Sequence, residues 1–104
     1  MQKQILEHQR VRRVPPHFSW VDHRLVRRHY IEQAGAMSWA LYLVLVTVGD
    51  EHGLSFYSDK SLCRMLSLSI QTLTTAREQL IRTGVIAYSS PMYQVLDLAE
   101  ADRP

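Results

Sequence analysis

The stretch at residues 58–98 constrains the fold most, because it holds two helical patterns separated by only three residues. The apolar residues of the first pattern follow an i, i+3, i+4 spacing, which places them on one helix face. They are Leu62, Met65 and Leu66. Ser58 can cap this helix, since a serine hydroxyl accepts a backbone N–H bond of the first turn. We expect Leu68, inside the three-residue turn, to pack between the two helices.

The second helical pattern covers residues 70–84, and Ser69 is its natural N-cap. Ala76 lies on the side predicted to be buried, where a small residue lets another helix approach closely. The buried side is predicted to be Leu73, Ala76, Leu80 and Gly84, and the exposed side Gln71, Thr75, Glu78 and Arg82. Gly84 also fits a helix C-terminus, which tolerates left-handed backbone.

Two strand-like runs follow the second helix, at residues 85–88 and 93–98, with a turn at residues 89–92. Alternation in the second run predicts that Tyr93, Val95 and Asp97 share one face. A short strand at residues 54–57 is expected to pair with this hairpin. The predicted fold class is therefore mainly α with a small antiparallel β wing.

Residues 36–50 are apolar almost all round, which predicts a central helix buried on most sides. The longest apolar run, residues 39–48, is far shorter than the roughly 20 residues needed to span a bilayer. The first residues also lack the apolar core of a secretory signal. We therefore expect a cytoplasmic protein with no membrane contact.

These patterns resemble the winged helix-turn-helix superfamily of DNA-binding proteins. The motif similar to the recognition helix and first wing strand of GntR-type and MarR-type regulators is Ser69-x-x-Thr72-Leu73-x-x-Ala76-x-x-x-Leu80-x-x-x-Gly84-Val85-Ile86. Residues 40–42 leading to 53–58 are similar to the preceding helix and strand of bacterial and plasmid replication-initiation proteins. The resemblance covers roughly residues 36 to 98 and implies a winged helix-turn-helix fold.

The chain departs from that pattern at three places. Ser67 stands in the turn where the family usually has glycine, so we expect a left-handed serine at a cost of about 1 kcal/mol. Arg77 replaces an apolar residue, and we expect it to snorkel or form a structural ion pair. The predicted wing tip, residues 89–92, has no lysine or arginine, so it lacks the phosphate contact that a wing often makes.

The candidate DNA-binding surface is the exposed front of the second helix. Its residues are Ile70, Gln71, Thr72, Thr74 and Thr75. Glutamine can bond an adenine edge, threonine can reach phosphates or bases, and methyl groups contact thymine. Lys60 and Arg64 on the preceding helix could reach phosphates. Glu78 would repel phosphate, and it stands four residues before Arg82, with which it could pair.

The positive charge lies mostly outside this surface. The net charge is +2, with +4 over residues 1–34, −2 over 35–57 and zero over 58–104. A basic arm at residues 1–17 carries Arg10, Arg12 and Arg13, followed by a proline pair that favours extended backbone. Such an arm could follow a DNA minor groove; the alternative is a solvated leader without a role.

After the arm, one domain is predicted at residues 18–98, followed by a frayed tail at residues 99–104. Phe18 and Trp20 are expected to bury and anchor the arm. Asp22 could cap a helix over residues 23–31 that exposes Arg24, Arg27 and Arg28, ending at Gly35.

Enzyme and metal chemistry have no support in the sequence. The one cysteine, Cys63, excludes an internal disulfide and a thiolate zinc cage, and we expect it to be a small buried residue. The five histidines form no i, i+4 pair on a predicted helix, and no phosphate-binding or nucleophile motif is present. We therefore expect no catalysis, no cofactor and no small-molecule ligand.

The predicted function is non-catalytic binding of double-stranded DNA, in transcription regulation or in plasmid or phage replication. Two alternatives stay open. The neutral helix-turn-helix and uncharged wing would suit a protein-interaction module. The arm and the helix after Asp22 could instead exchange between subunits of a homodimer, which would make the chain an assembly adaptor.

Overall fold

A computed structural model describes residues 2–98, which are mainly helical with a small antiparallel sheet of three strands. The helices are α1 (Arg24–Arg27), α2 (Ala36–Val48), α3 (Asp59–Leu66) and α4 (Ile70–Thr83), and the strands are β1 (Leu54–Phe56), β2 (Ile86–Ser89) and β3 (Met92–Val95). Short 3-10 helices cover His8–Arg10 and Tyr30–Gln33. The predicted tail at residues 99–104 lies outside the described residues. No helix within residues 2–98 has the length and apolar character to cross a membrane.

Local side-chain chemistry sets the ends of α3 and α4, as the sequence predicts. The Ser58 hydroxyl accepts the N–H of Ser61 at 3.1 Å, and the Ser69 hydroxyl accepts the N–H of Thr72 at 3.1 Å. Ser67 is left-handed, with φ 55° and ψ 45°, and it ends α3. Gly84, with φ 83°, ends α4. The chain therefore turns from α3 into α4 within three residues.

The core forms where α4 packs on α2 and α3. Leu73, Ala76 and Leu80 are buried as predicted, and the opposite side of α4 is exposed. Gly84, predicted on the buried side, is exposed because it follows the end of the helix. Ser38 of α2 lies against this face: its hydroxyl is 3.1 Å from the Ala76 carbonyl oxygen and 2.7 Å from Gln79 Oε1. Small residues at this crossing allow the two helices to approach closely.

The sheet has the order β1-β3-β2, with β3 antiparallel to both neighbours, so the predicted strand before α3 does pair with the hairpin. Gly53 leads into β1 with φ 80°, and a Cβ there would lie 2.7 Å from the Val95 carbonyl oxygen. Only glycine fits this approach. Tyr93 on β3 is fully buried and Val95 half-buried, whereas Asp97 lies beyond the strand and is exposed.

The predicted helix over residues 23–31 is wrong. The Asp22 carboxylate does accept the N–H of Arg24 at 2.8 Å, but α1 lasts only four residues. His29 then turns left-handed, with φ 62°, and its imidazole pairs with Glu32 at the start of the next 3-10 helix. Leu25 of α1 is buried in the core, whereas the next residue, Val26, is exposed. Gly35 precedes α2 rather than ending the earlier element.

Several predicted anchors are also exposed. Phe18 and Trp20 are 64% and 75% exposed, and they border a groove that Tyr42 and Leu45 also line. Met65 lies outward on α3, and Leu43 lies outward on α2, which is therefore not buried on every side. Leu68 and Cys63 are half-buried. The core is thus smaller than the apolar pattern predicts.

Leu80→Ala is expected to destabilise the protein by about 2–5 kcal/mol, because Leu80 is fully buried and its removal leaves a cavity. Thr75→Ala, on the exposed side of the same helix, should change the free energy of unfolding by less than about 0.5 kcal/mol. Urea denaturation followed by circular dichroism measures both. Equal losses would contradict this placement of α4.

Candidate nucleic-acid interface

The front of α4 is open over its first two turns. Ile70 is 52% exposed, and Gln71 and Thr75 are exposed beside it. Thr72 and Thr74 are half-buried. The Thr72 hydroxyl accepts a hydrogen bond from the Ser69 hydroxyl at 2.9 Å. The Thr74 hydroxyl donates a hydrogen bond to the Ile70 carbonyl oxygen at 2.9 Å. Of the five predicted front residues, Ile70, Gln71 and Thr75 are therefore the ones best placed to contact a ligand.

A neutral cleft borders this front. It has a volume of about 360 Å³ and lies between α4 and the first turn of α2. Gln71 and Thr75 line one side and residues 35–38 the other, and no charged side chain lines it. Gln79 of α4 connects the two sides of the cleft, because its Oε1 accepts a hydrogen bond from the N–H of Gly35, just before α2, at 2.8 Å. The sequence carried no signal for this role of Gln79.

Two predicted phosphate contacts, Lys60 and Arg64, are exposed on α3. Neither forms an ion pair within residues 2–98. Glu78 and Arg82 are both exposed on α4, but the pair expected between them does not form in that part of the chain. The exposed charges are therefore two cations on α3, and on α4 one carboxylate, Glu78, and one cation, Arg82.

Arg77 has a structural role, as the sequence predicts, and does not belong to the front. It is 9% exposed, and its Nη1 lies 2.8 Å from Asp59 Oδ1 and 2.9 Å from the Tyr93 hydroxyl. Its guanidinium carbon lies 4.3 Å from the ring centre of Tyr88. Burial alone would lower the pKa of Arg77, but the bonds to Asp59 and Tyr93 outweigh it and raise that pKa. One side chain thus connects α4 to α3 and to the hairpin.

The arm arginines lie away from the front along the chain path. Arg10, Arg12 and Arg13 are exposed. The arm joins the domain at Phe18, which borders a groove at the C-terminal end of α2, whereas the α4 front borders the N-terminal end. The 13 residues of α2 separate these ends by about 20 Å. The structure therefore brings together the α4 residues, but it does not join the arm to them.

Comparison with known proteins adds no assignment: no family model, no curated protein and no solved structure matches this chain. Among residues 2–98, no three histidine, cysteine, aspartate or glutamate side chains are grouped so that they could hold a metal ion.

Arg77→Ala is expected to destabilise the protein by about 2–4 kcal/mol, because it leaves the Tyr93 hydroxyl and Asp59 without their partner. The lower end allows for the partial exposure of Asp59. Arg77→Lys keeps the charge but not the planar fork, and we expect an intermediate loss. Urea unfolding compares the three proteins. A loss below about 0.5 kcal/mol for Arg77→Ala would refute this role.

Proposed function

We propose that the chain is a winged helix-turn-helix protein that binds double-stranded DNA through the front of α4, without catalysis. The observation that carries the proposal is the placement of Ile70, Gln71 and Thr75. They lie exposed at the start of a helix that follows a three-residue turn and leads into a β-hairpin. Transcription control and plasmid or phage replication are the processes such a protein would serve.

The exposed side chains suit the floor of a major groove. The Gln71 amide offers a donor and an acceptor, which match the N7 and N6 edge of adenine. Ile70 and the Thr75 methyl group can contact a thymine methyl. Because these side chains are short, α4 would have to enter the groove with its first two turns. Glu78 would then lie farther from the phosphates.

Phosphate contacts would come from α3. Lys60 and Arg64 are exposed and unpaired within the described chain. In a helix-turn-helix the first helix crosses the backbone while the second enters the groove. With only these two cations near the front, the affinity of the domain itself would depend weakly on salt. The arm arginines remain a sequence-based prediction for further contacts.

A protein-interaction module is the second candidate, and a specific observation favours it. Met65 and Ile70 lie on either side of the turn between α3 and α4 and are about half exposed, and Met37, which is 51% exposed, lines the cleft without charge. An exposed apolar pair beside a neutral surface fits a protein partner. DNA binding accounts for Ile70 and Gln71 together, whereas it gives Met65 no role.

Replacing Gln71 and Thr75 by alanine together should flatten the preference among DNA sequences, because it removes the base-edge contacts and leaves the fold intact. Selection from random duplexes measures the preference. Gln33→Ala with Thr47→Ala removes the same residue types from exposed positions off the front and should return the wild-type motif. If the wild type itself returns no motif, the protein-interaction candidate is favoured.

Arg64→Ala should lower the slope of log affinity against log salt by about 0.9, because one phosphate contact is lost. Lys60→Ala should lower it by a similar amount. Arg27→Ala removes an exposed arginine from α1 and should leave the slope unchanged. Fluorescence anisotropy across a salt series distinguishes them, and equal effects of Arg64→Ala and Arg27→Ala would argue against α3 on the phosphates.

A further inference from the structure

The arm is exposed although it is rich in large apolar side chains. Every residue from 2 to 21 is exposed. The apolar residues that are more than half exposed in this stretch are Ile5, Leu6, Val11, Val14, Phe18, Trp20 and Val21. These apolar residues alternate with basic and polar ones, so an extended arm can present both apolar and cationic side chains to one surface.

A groove of matching character lies where the arm joins the domain. It has a volume of about 650 Å³, and Phe18 and Trp20 form part of its wall. Val46 of α2 and Val95 and Leu96 at the end of β3 are half-buried along it. Its apolar surface is therefore only partly covered by the chain's own residues.

The groove and the arm carry opposite charge. Four carboxylates line the groove, and no lysine or arginine does: Asp22, Asp50, Glu51 and Asp97. Arg24 pairs with Asp22 and Asp97, so Asp50 and Glu51 are the carboxylates that the arm would meet. The backbone N–H groups of Leu54 and then His52 lower the pKa of Asp50, so this carboxylate is charged at neutral pH. The arm carries four cations against the single acid Glu7: Lys3, Arg10, Arg12 and Arg13. Such complementarity favours association of the two segments.

The chain path favours the groove of another copy over the arm's own groove. Phe18 belongs to the wall, and the proline pair at 15 and 16, which favours extended backbone, limits how tightly residues 2–14 can fold back into that groove. Residues 2–17 can reach about 50 Å when extended, which is more than twice the length of α2, about 20 Å. An arm of this length can cross to a neighbouring domain.

We infer that the chain forms a two-fold homodimer in which the arm of each copy lies in the groove of the other. Apolar arm residues such as Val11 and Val14 cover the partner's groove, and the arginines between them face its carboxylates. A two-fold axis makes the exchange reciprocal. The groove lies at the opposite end of α2 from the α4 front, so both fronts stay open. The inference goes beyond the proposed function and does not depend on it.

Sedimentation equilibrium of the full chain tests the exchange. We expect twice the mass of 12.1 kDa for the wild type. Val11→Asp with Val14→Asp should raise the dimer dissociation constant by about tenfold or more, because the carboxylates would be buried without partners. Leu43→Asp is the matched control, since Leu43 is exposed on α2 but does not line the groove, and it should leave the constant unchanged.

Mixing two defective chains tests reciprocity. Glu51→Lys with Gln94→Lys changes two exposed residues of the groove and should weaken the homodimer. Mixed with the Val11→Asp/Val14→Asp chain, it should form a heterodimer tighter than either homodimer, because one intact arm then meets one intact groove. Absence of that heterodimer would overturn the exchange.

Three further outcomes would overturn the inference. The first is a monomeric wild type. The second is a dimer broken by Leu43→Asp and kept by the arm variant, which would place the interface on α2. The third is that a chain lacking residues 1–14 is still a dimer. If its slope of log DNA affinity against log salt then falls by about 0.9 for each missing phosphate contact, the arm lies on DNA.

Discussion

The buried guanidinium of Arg77 is the interaction on which the candidate site depends. It bonds Asp59 at the start of α3 and the hydroxyl of Tyr93 on β3, and it stacks on Tyr88 of β2. Three elements thus meet at one side chain of α4. Burying a charge is costly unless its donors are matched, so the bonds to Asp59 and Tyr93 restrict how α4 can be oriented. The exposed positions of Gln71 and Thr75 follow from that orientation.

The parts of the fold that could be predicted from the sequence are those decided within a few residues. Ser58 and Ser69 cap helices through N–H groups three residues away, and Ser67 and Gly84 end helices through their own backbone. The faces of α4 were predictable for the same reason, because a period of 3.6 residues is a local property. A mainly helical fold with a small antiparallel sheet followed from these elements.

The predictions that are wrong concern which residues are buried and where a helix ends, and both depend on tertiary packing. Phe18 and Trp20 are apolar, but they stay exposed beside the groove that Tyr42 and Leu45 also line. The helix predicted over residues 23–31 ends at Arg27, and the left-handed backbone of His29 separates it from the next 3-10 helix. Within the candidate site, the exposure of Gln71 was predictable from the helical period. The hydrogen bonds of the Thr72 and Thr74 hydroxyls, and the bond from the Gly35 N–H to Gln79, depend on contacts that no sequence pattern encodes.

Helix α2 separates two surfaces of different chemistry. Its first turn borders the neutral cleft of the α4 front, and its last turn borders the acidic groove beside the arm. A strongly acidic groove next to the front would repel phosphate, and a separation of about 20 Å exceeds the Debye length of about 8 Å at physiological ionic strength. The acidic groove therefore contributes little to the electrostatic potential at the front. A neutral surface and an acidic surface thus lie at opposite ends of the same helix.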